Sequence, residues 1–172
     1  IIKLINKKYA NHFNISYTIE DTPIGTYGAL YNAKDFLEDK IFVLFGDIVF
    51  NFNIENGFKN FKSDVLLVTR YTDHPKDSDI VVEDKNNFKE FKRHNELNYP
   101  YKPLGNTALF FIRKKKLFEP TLKESDIFKD YLTNNLSLLN IKTVLSTNYI
   151  KDVGTTKRYK EAQKDINIKL QE

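Results

Sequence analysis

The order of hydrophobic and polar positions predicts strands and helices that alternate along the first part of the chain. Residues 1–11 have the spacing of an amphipathic helix, and period-two alternation over residues 13–20 predicts a half-buried strand. A turn over residues 22–26 leads into a helix expected at 28–37. The unbroken apolar run at 41–45 is typical of a strand buried on both faces, as in a parallel sheet covered by helices.

The same pattern continues to the end of the chain. A hairpin is expected from residues 79–83 and 88–91 around the polar turn 84–87. Further helices are predicted near 54–61, 114–119, 125–134 and 156–166, and further strands at 65–69, 108–112 and 141–145. This order predicts one α/β domain over residues 1–172, with a mixed, mainly parallel sheet flanked by helices and a β-hairpin insertion.

Composition excludes several classes of protein. The chain has 172 residues, 41% of them hydrophobic and 29% charged, which is typical of a folded domain. Because it has no methionine and begins with Ile1, we expect it to be incomplete at its N-terminus. The absence of cysteine excludes disulfides, thiolate catalysis and cysteine-bound zinc in this segment. No apolar run reaches the roughly 20 residues that span a bilayer, and no signal peptide is visible, so we expect a cytoplasmic protein without membrane insertion.

The net charge of +4 and the pI of about 9.0 raise the question of nucleic-acid binding. The dense basic run at 113–116 is short and stands alone, which favours a solvated surface over a nucleic-acid patch. The three histidines, His12, His74 and His94, lack the spacing of a metal-binding pair.

Gly46 and Asp47 directly follow the apolar run at 41–45. Ligands of open α/β sheets bind beyond the carboxyl ends of the strands, and Mg²⁺ binds one or two carboxylates together with phosphate oxygens. Asp152, followed by Gly154 and a predicted helix, would complete a metal clamp if its carboxylate met that of Asp47. By itself, Asp47 is better explained as an ordinary turn residue, and Asp152 could be an ordinary loop acid.

The segment 20–30 joins a predicted strand to a predicted helix through a proline and two glycines. Its backbone could lie flat against a planar ligand. Glu20 offers only hydrogen-bond acceptors, which suit the N1–H and amino group of guanine and would repel the carbonyls of uracil or thymine. The alternative is an ordinary turn with a surface acid.

Another candidate metal motif, Asp77-Ser78-Asp79, is similar to the Asp-x-Asp of metal-dependent glycosyltransferases.

Taken in order, four motifs resemble the sugar-1-phosphate nucleotidyltransferase superfamily. They are the segment 20–30, the strand ending at Asp47, the strand that starts at Asn106, and the segment 152–155. The segments 73–80 and 149–155 resemble the branch of heptose 1-phosphate guanylyltransferases, which is often fused to a heptose-bisphosphate phosphatase. The resemblance runs over nearly the whole chain and implies a Rossmann-like fold whose hairpin insertion binds sugar.

The resemblance implies an enzyme that transfers a nucleotide, GMP in this branch, from a nucleoside triphosphate to a sugar 1-phosphate of heptose or mannose type and releases pyrophosphate. Such enzymes supply nucleotide-sugars for lipopolysaccharide and capsule. Asp47 and Asp152 would be the catalytic residues and would bind Mg²⁺. The implied nucleotide-binding residues are Glu20, Pro23, Gly25, Thr26 and Gly46, and the implied sugar-binding residues are Asn106, Lys92 and His94.

The chain also departs from the family. The Gly-x-Gly-Thr-Arg loop and the following lysine, which bind the triphosphate in the family, would lie upstream of Ile1, so we expect this polypeptide alone to be inactive or nearly so. Lys92 or His94 would replace the usual lysine after the hairpin, and Ala108 stands where the family has glycine. A non-catalytic remnant or regulatory subunit of the same fold, and a glycosyltransferase, remain the alternatives. The oligomeric state is left open, including a homo-oligomer.

Overall fold

The structure is a computed structural model that describes residues 1–72, 74–96, 102–120 and 125–169, without the side chains of residue 94 and of residues 167–169. Its strands are β1 (Lys40–Leu44), β2 (Ile48–Phe50), β3 (Val65–Tyr71), β4 (Ile80–Asp84), β5 (Asn87–Lys92), β6 (Leu104–Arg113), β7 (Ile141–Leu145) and β8 (Ile150–Asp152). Its α-helices are α1 (Ile2–Tyr9), α2 (Gly25–Asn32), α3 (Ile54–Asn60) and α4 (Thr156–Lys169). The chain therefore has the mixed α/β content that the sequence predicts.

The strands form a six-stranded sheet in the order β1-β6-β3-β7-β5-β4, and β2 and β8 form a separate two-stranded ribbon. Among the described residues, only β3 and β7 pair in parallel, and every other pairing is antiparallel. The prediction of a mainly parallel sheet is therefore wrong for this part of the chain. The physical reason is β6, which lies between β1 and β3 and runs opposite to both, and an apolar run looks the same in either direction.

The core lies on both faces of the sheet. In β3, Val65 and Leu67 point into one apolar cluster, whereas Leu66 and Val68 point into the other. Residues of β6 alternate in the same way. The first cluster is covered by α2 and the π-helical turn Ile127–Leu132, and the second by α3. Continuous burial on both faces, which the sequence predicts for residues 41–45, is thus a property of β3.

β1 instead lies at the edge of the described sheet. It pairs with β6 alone among the described strands, and Leu44 remains 44% exposed. The predicted strand at 13–20 does not form, and Phe13 and Ile19 are 64% and 75% exposed. Alternation alone cannot make a strand, because a strand also needs an edge with which to exchange backbone hydrogen bonds.

The remaining elements follow the predictions with shifted bounds. The hairpin of β4 and β5 is confirmed, and Lys85 and Asn86 have φ of 50° and 63°, as a two-residue type I′ turn requires. α2 begins at Gly25, three residues before the predicted start, and ends at Asn32. The helix expected near 114–119 is a short 3₁₀ turn, Lys114–Lys116, and the one expected at 125–134 is mainly the π-helical turn.

The basic run at the end of β6 is held by acidic neighbours. Arg113 lies 3.7 Å from a carboxylate oxygen of Asp39, and Lys116 lies 3.3 Å from one of Asp64. Both contacts join this run to the loops around it. Across the described residues, every helix is too short or too polar to cross a bilayer.

Candidate active site

A cavity of about 240 Å³ opens between the segment after β1, the middle of β6 and the connection from β8 to α4. Acidic side chains dominate its charged wall. The aspartates that line it are Asp47, Asp77, Asp79, Asp126 and Asp152, and the arginines and lysine among its described residues are Arg70, Lys151 and Arg158.

The β2–β8 ribbon brings Asp47 and Asp152 together. Ile48 pairs with Asp152 across the ribbon, and the backbone N–H of Val153 donates to the carbonyl of Asp47 at 2.8 Å. A Cβ atom placed on Gly154 would lie 3.1 Å from Oδ1 of Asp152 and 3.2 Å from Oδ2 of Asp47. The two carboxylates, which are far apart in the sequence, therefore border the same small space above Gly154.

The carboxylate of Asp152 is held in place by two donors. The backbone N–H of Gly154 donates to Oδ1 at 2.6 Å, and Nη1 of Arg158 donates to Oδ2 at 2.9 Å. Nη2 of the same guanidinium lies 3.3 Å from Oδ2 of Asp77. Arg158 thus links the wall of the cavity on the β8 side to the wall before β4.

The carboxylate oxygens above Gly154 suit a small divalent cation as ligands. Carboxylate oxygens are the ligands that Mg²⁺ prefers, and Mg²⁺ usually takes one or two of them and completes its octahedron with water and phosphate oxygens. The absent side chain of Gly154 leaves the space that such an ion would need. No group of three or more histidine, cysteine or acidic side chains that could hold a metal occurs among the described residues, so water or substrate oxygens would have to complete the site.

The ribbon and α4 are fixed to each other by a polar cluster beside the cavity. Lys151 contacts Glu161 at 3.0 Å and Asp165 at 3.5 Å, and the hydroxyl of Tyr149 donates to Asp165 at 2.8 Å. Burial and the hydrogen bond to Asp165 raise the pKa of Tyr149 to about 12. Burial would lower the pKa of Lys151, but its bonds to Glu161 and Asp165 outweigh burial and raise that pKa. These contacts hold β8, and with it Asp152, against α4.

The predicted nucleotide segment adjoins this cavity without lining it. Glu20 and Pro23 are exposed, and Oε2 of Glu20 accepts from the backbone N–H of Ile24 at 3.3 Å. The hydroxyl of Thr26 donates to Asp126, a wall residue, at 3.4 Å and accepts from the N–H of Ile127 at 2.8 Å. The segment is therefore anchored to the loop that forms one side of the cavity.

Gly25 and Gly46 differ in their surroundings. Gly25 has φ of 78°, and a Cβ there would lie 2.3 Å from the carbonyl oxygen of Ser125, so only glycine fits this close approach. Gly46 is exposed, with no atom within 4 Å of a Cβ placed on it. The first glycine is therefore needed for packing, whereas the second leaves open space beside Asp47.

Of the three predicted sugar-binding residues, Asn106 lines the cavity. Its Oδ1 accepts from the backbone N–H of Ala108 at 3.1 Å. Lys92 is not among the described wall residues, and it pairs with Glu90 at 2.9 Å. The side chain of His94 lies outside the described residues.

The sequence alone did not indicate Arg158, Asp126 or the pairing of Asp77. The usable signal for Arg158 was its position in the first turn of the helix after Asp152, because helical side chains point back towards the N-terminus. The alternative motif Asp77-Ser78-Asp79 does lie on the cavity wall. However, Asp77 pairs with Arg158, and Asp79 pairs with Arg93 at 3.1 Å.

Comparisons with known proteins support the sequence resemblance, although no family model matches the chain. Two relatives are named D-glycero-alpha-D-manno-heptose 1-phosphate guanylyltransferase. The one from Campylobacter jejuni is 23% identical over 145 residues, which cover 84% of this chain and 64% of that protein. The one from Aneurinibacillus thermoaerophilus is 27% identical over 181 residues, which cover 95% of this chain and 74% of that protein. The chain thus spans less than two thirds of the first relative.

The fold also matches solved structures. HddC from Yersinia pseudotuberculosis superposes with a TM-score of 0.81 at 18% sequence identity, over 96% of this chain and 72% of that one. The complex of HddC with GMP-PN superposes with a TM-score of 0.79, also at 18% identity, over the same shares of the two chains. At this identity the structural match establishes the fold alone. The chain is therefore similar in sequence to two proteins named heptose 1-phosphate guanylyltransferase and similar in fold to HddC, as the sequence resemblance predicts.

Proposed function

We propose that this chain carries the metal and sugar side of a nucleotidyltransferase site that transfers GMP from GTP to a sugar 1-phosphate of heptose or mannose type and releases pyrophosphate. The observation that carries the proposal is the meeting of Asp47 and Asp152, two residues of the cavity wall, above Gly154. Two relatives named heptose 1-phosphate guanylyltransferase support the guanine and heptose preference.

The reaction needs little covalent chemistry from the protein. A phosphate oxygen of the sugar 1-phosphate attacks the α-phosphorus of GTP, and the bond to the β-phosphate oxygen breaks as pyrophosphate leaves. Positioning of the two phosphates in line and neutralisation of their charge supply most of the acceleration in such transfers. Asp47 and Asp152 would hold Mg²⁺, which supplies positive charge beside the reacting phosphates.

Base recognition would fall to the segment 20–26, which leads into the first turn of α2. Glu20 presents acceptors to the N1–H and amino group of guanine, and the backbone at Pro23, Gly25 and Thr26 would lie along the ring. Gly46 leaves the open space beside Asp47 in which the ribose or phosphates could approach closely. The anchoring of Thr26 to Asp126 supports this arrangement, because it fixes the segment against the cavity wall.

Sugar recognition would involve Asn106, whose amide lies in the cavity wall, with Lys92 and His94 at the end of the β4–β5 hairpin. The hairpin would then be the sugar-binding insertion. In this proposal the product is a nucleotide-sugar made in the cytoplasm for cell-surface polysaccharides such as lipopolysaccharide or capsule.

The test is pyrophosphate release by the protein expressed from its complete coding sequence, with Mg²⁺, mannose 1-phosphate or a heptose 1-phosphate, and each of four nucleoside triphosphates. We expect release with GTP, and a loss of at least a hundredfold in both Asp47→Asn and Asp152→Asn. Asp84→Asn, an exposed acid on the hairpin turn, is the matched control and should keep full activity.

Two results would count against the proposal. A preference for UTP or dTTP would remove the argument for Glu20, and transfer from a ready-made nucleotide-sugar would indicate a glycosyltransferase instead. The 172-residue polypeptide assayed alone should release little or no pyrophosphate, because the loop that cradles the triphosphate in this family is not in its sequence.

A further inference from the structure

Arg158 is a cationic wall residue, and both acids paired with it also line the cavity. Its guanidinium bridges Asp152 at 2.9 Å and Asp77 at 3.3 Å, and both of these acids line the same space. Of the other two wall cations, Arg70 donates to the backbone carbonyl of Ile150, and Lys151 pairs with two acids of α4.

The position of Arg158 follows from helix geometry. It lies in the first turn of α4, where its N–H donates to the hydroxyl of Thr155 at 3.2 Å. Side chains of a helix lean towards its N-terminus, so the long arginine reaches back over this turn to the carboxylate that precedes Gly154. The guanidinium therefore lies beside the space that we assign to a divalent ion.

The charges of the cavity wall determine what Arg158 can bind. The five aspartates of the wall outnumber Arg70, Lys151 and Arg158, so its charged side chains carry an excess of negative charge that would repel the phosphate groups required by the proposed function. A guanidinium has the planar pair of donors that binds phosphate well, but here both ends of the fork are occupied by carboxylates. Binding of a divalent ion at Asp152 would repel the guanidinium and free it for an anion nearby.

We infer that the guanidinium of Arg158 pairs with the carboxylate of Asp152 while no metal ion is bound. Once the ion binds Asp152, the guanidinium moves to the phosphate of the sugar 1-phosphate. This rests on the proposed function and names a positioning residue for the same site. Because one side chain serves both ligands, divalent ion and sugar phosphate should strengthen each other's binding.

The test measures two affinities in Arg158→Gln by calorimetry, without any nucleotide. Mn²⁺ alone should bind about tenfold more tightly than to the wild type, because a competing positive charge is removed. Mannose 1-phosphate, added to the Mn²⁺-loaded protein, should bind about tenfold more weakly, because a charge-assisted phosphate contact is lost. Changes of opposite sign are the signature, since a general structural defect would weaken both.

Two further variants complete the design. Arg158→Lys keeps the positive charge but lacks the planar pair of hydrogen-bond donors. Its Mn²⁺ affinity should therefore stay within threefold of the wild type, while its affinity for mannose 1-phosphate falls. Lys157→Gln removes the same charge from the exposed neighbouring position and should leave both affinities within twofold. Circular dichroism of each variant checks folding. If Arg158→Gln is unfolded, the inference is tested by Arg158→Lys, which should weaken the binding of mannose 1-phosphate but not that of Mn²⁺.

Unchanged or weaker Mn²⁺ binding in Arg158→Gln, or unchanged binding of mannose 1-phosphate, overturns the inference. Its failure is separable from that of the proposed function. If the protein releases pyrophosphate but Arg158→Gln changes neither affinity, only the inference about Arg158 is contradicted. If the two affinities change in opposite directions but no pyrophosphate is released, only the proposed reaction is contradicted.

Discussion

Gly154 keeps the space between two carboxylates open, and this makes it the most informative single residue of the candidate site. A methyl group there would lie 3.1 Å and 3.2 Å from oxygens of Asp152 and Asp47, closer than ordinary contact, so both side chains would have to move. We expect Gly154→Ala to weaken Mn²⁺ binding about tenfold or more, measured by calorimetry without nucleotide, because metal ligands must keep their geometry to within a few tenths of an ångström.

Gly46→Ala is the matched control for this variant. It makes the same substitution in the neighbouring turn, where a Cβ meets nothing within 4 Å. Its Mn²⁺ affinity should equal that of the wild type. Equal Mn²⁺ affinities in Gly154→Ala and the wild type would show that the ion, if it binds, lies elsewhere.

Ala108 is a second residue with a measurable local effect. It has φ of 58°, the left-handed region that favours glycine, and it lies where the register between β3 and β6 shifts. The family resemblance also predicts glycine at this position. A left-handed conformation costs an alanine about 1 kcal/mol more than a glycine. Ala108→Gly should therefore raise the free energy of unfolding by about that amount in urea titrations, and a decrease would contradict the strained conformation.

Among the elements, β8 and α4 matter most for the site, because they present Asp152 and Arg158. Tyr149 precedes β8 and donates to Asp165 of α4, and its pKa is raised from about 10 to about 12. The folded state thus holds this proton more tightly than the unfolded state. The stabilisation is complete below pH 10 and is lost as the pH rises towards 12.

Tyr149→Phe tests this link between the two elements. At pH 8 the variant should be less stable by about 1 kcal/mol, the usual net contribution of one hydrogen bond. The difference from the wild type should shrink between pH 10 and pH 12, as measured by urea unfolding at each pH. Tyr159→Phe, on an exposed position of α4, is the control for the loss of a tyrosine hydroxyl and should lower stability at pH 8 by less than Tyr149→Phe does. A pH-independent difference for Tyr149→Phe would contradict the assigned pKa.

The sequence predicted the elements better than their partners. The alternation of β4 and β5 and the polar turn between them specify a hairpin locally, and the structure has one. By contrast, the run at 41–45 is as apolar as β3, but β1 lies at the edge of the described sheet because β6 covers only one of its sides. Which strand lies beside which depends on contacts between distant segments, and these leave no local pattern.

The same distinction applies to the site. The family resemblance led us to expect Asp47 and Asp152 at one site, and the β2–β8 ribbon does bring these two residues together. The role of Gly25 could be predicted only in part. Its turn was visible, but its close packing on Ser125 depends on a loop a hundred residues away. Arg158 was missed because a charged residue on a helix surface is common and its partners are known only in three dimensions.

At the scale of the whole molecule, the candidate metal site joins two connections that are far apart in the chain. One follows β1 and the other follows β8, and the ribbon between them packs Ile150 into the second core cluster. A site formed by both connections exists only in the folded state, so an ion that binds there must stabilise the whole domain. Mn²⁺ at a hundred times its dissociation constant should raise the free energy of unfolding by about 2.7 kcal/mol.

This linkage gives a test that does not depend on activity or on any substrate. Urea unfolding of the wild type should shift to higher concentrations on addition of Mn²⁺ and return on addition of a chelator. Asp47→Asn should abolish the shift while leaving stability without metal nearly unchanged, because Asp47 is exposed. Asp84→Asn, which removes an equal charge from the hairpin turn, should keep the full shift. If Asp47→Asn retains the shift, the ion binds without Asp47, and the carboxylates above Gly154 are not the metal ligands.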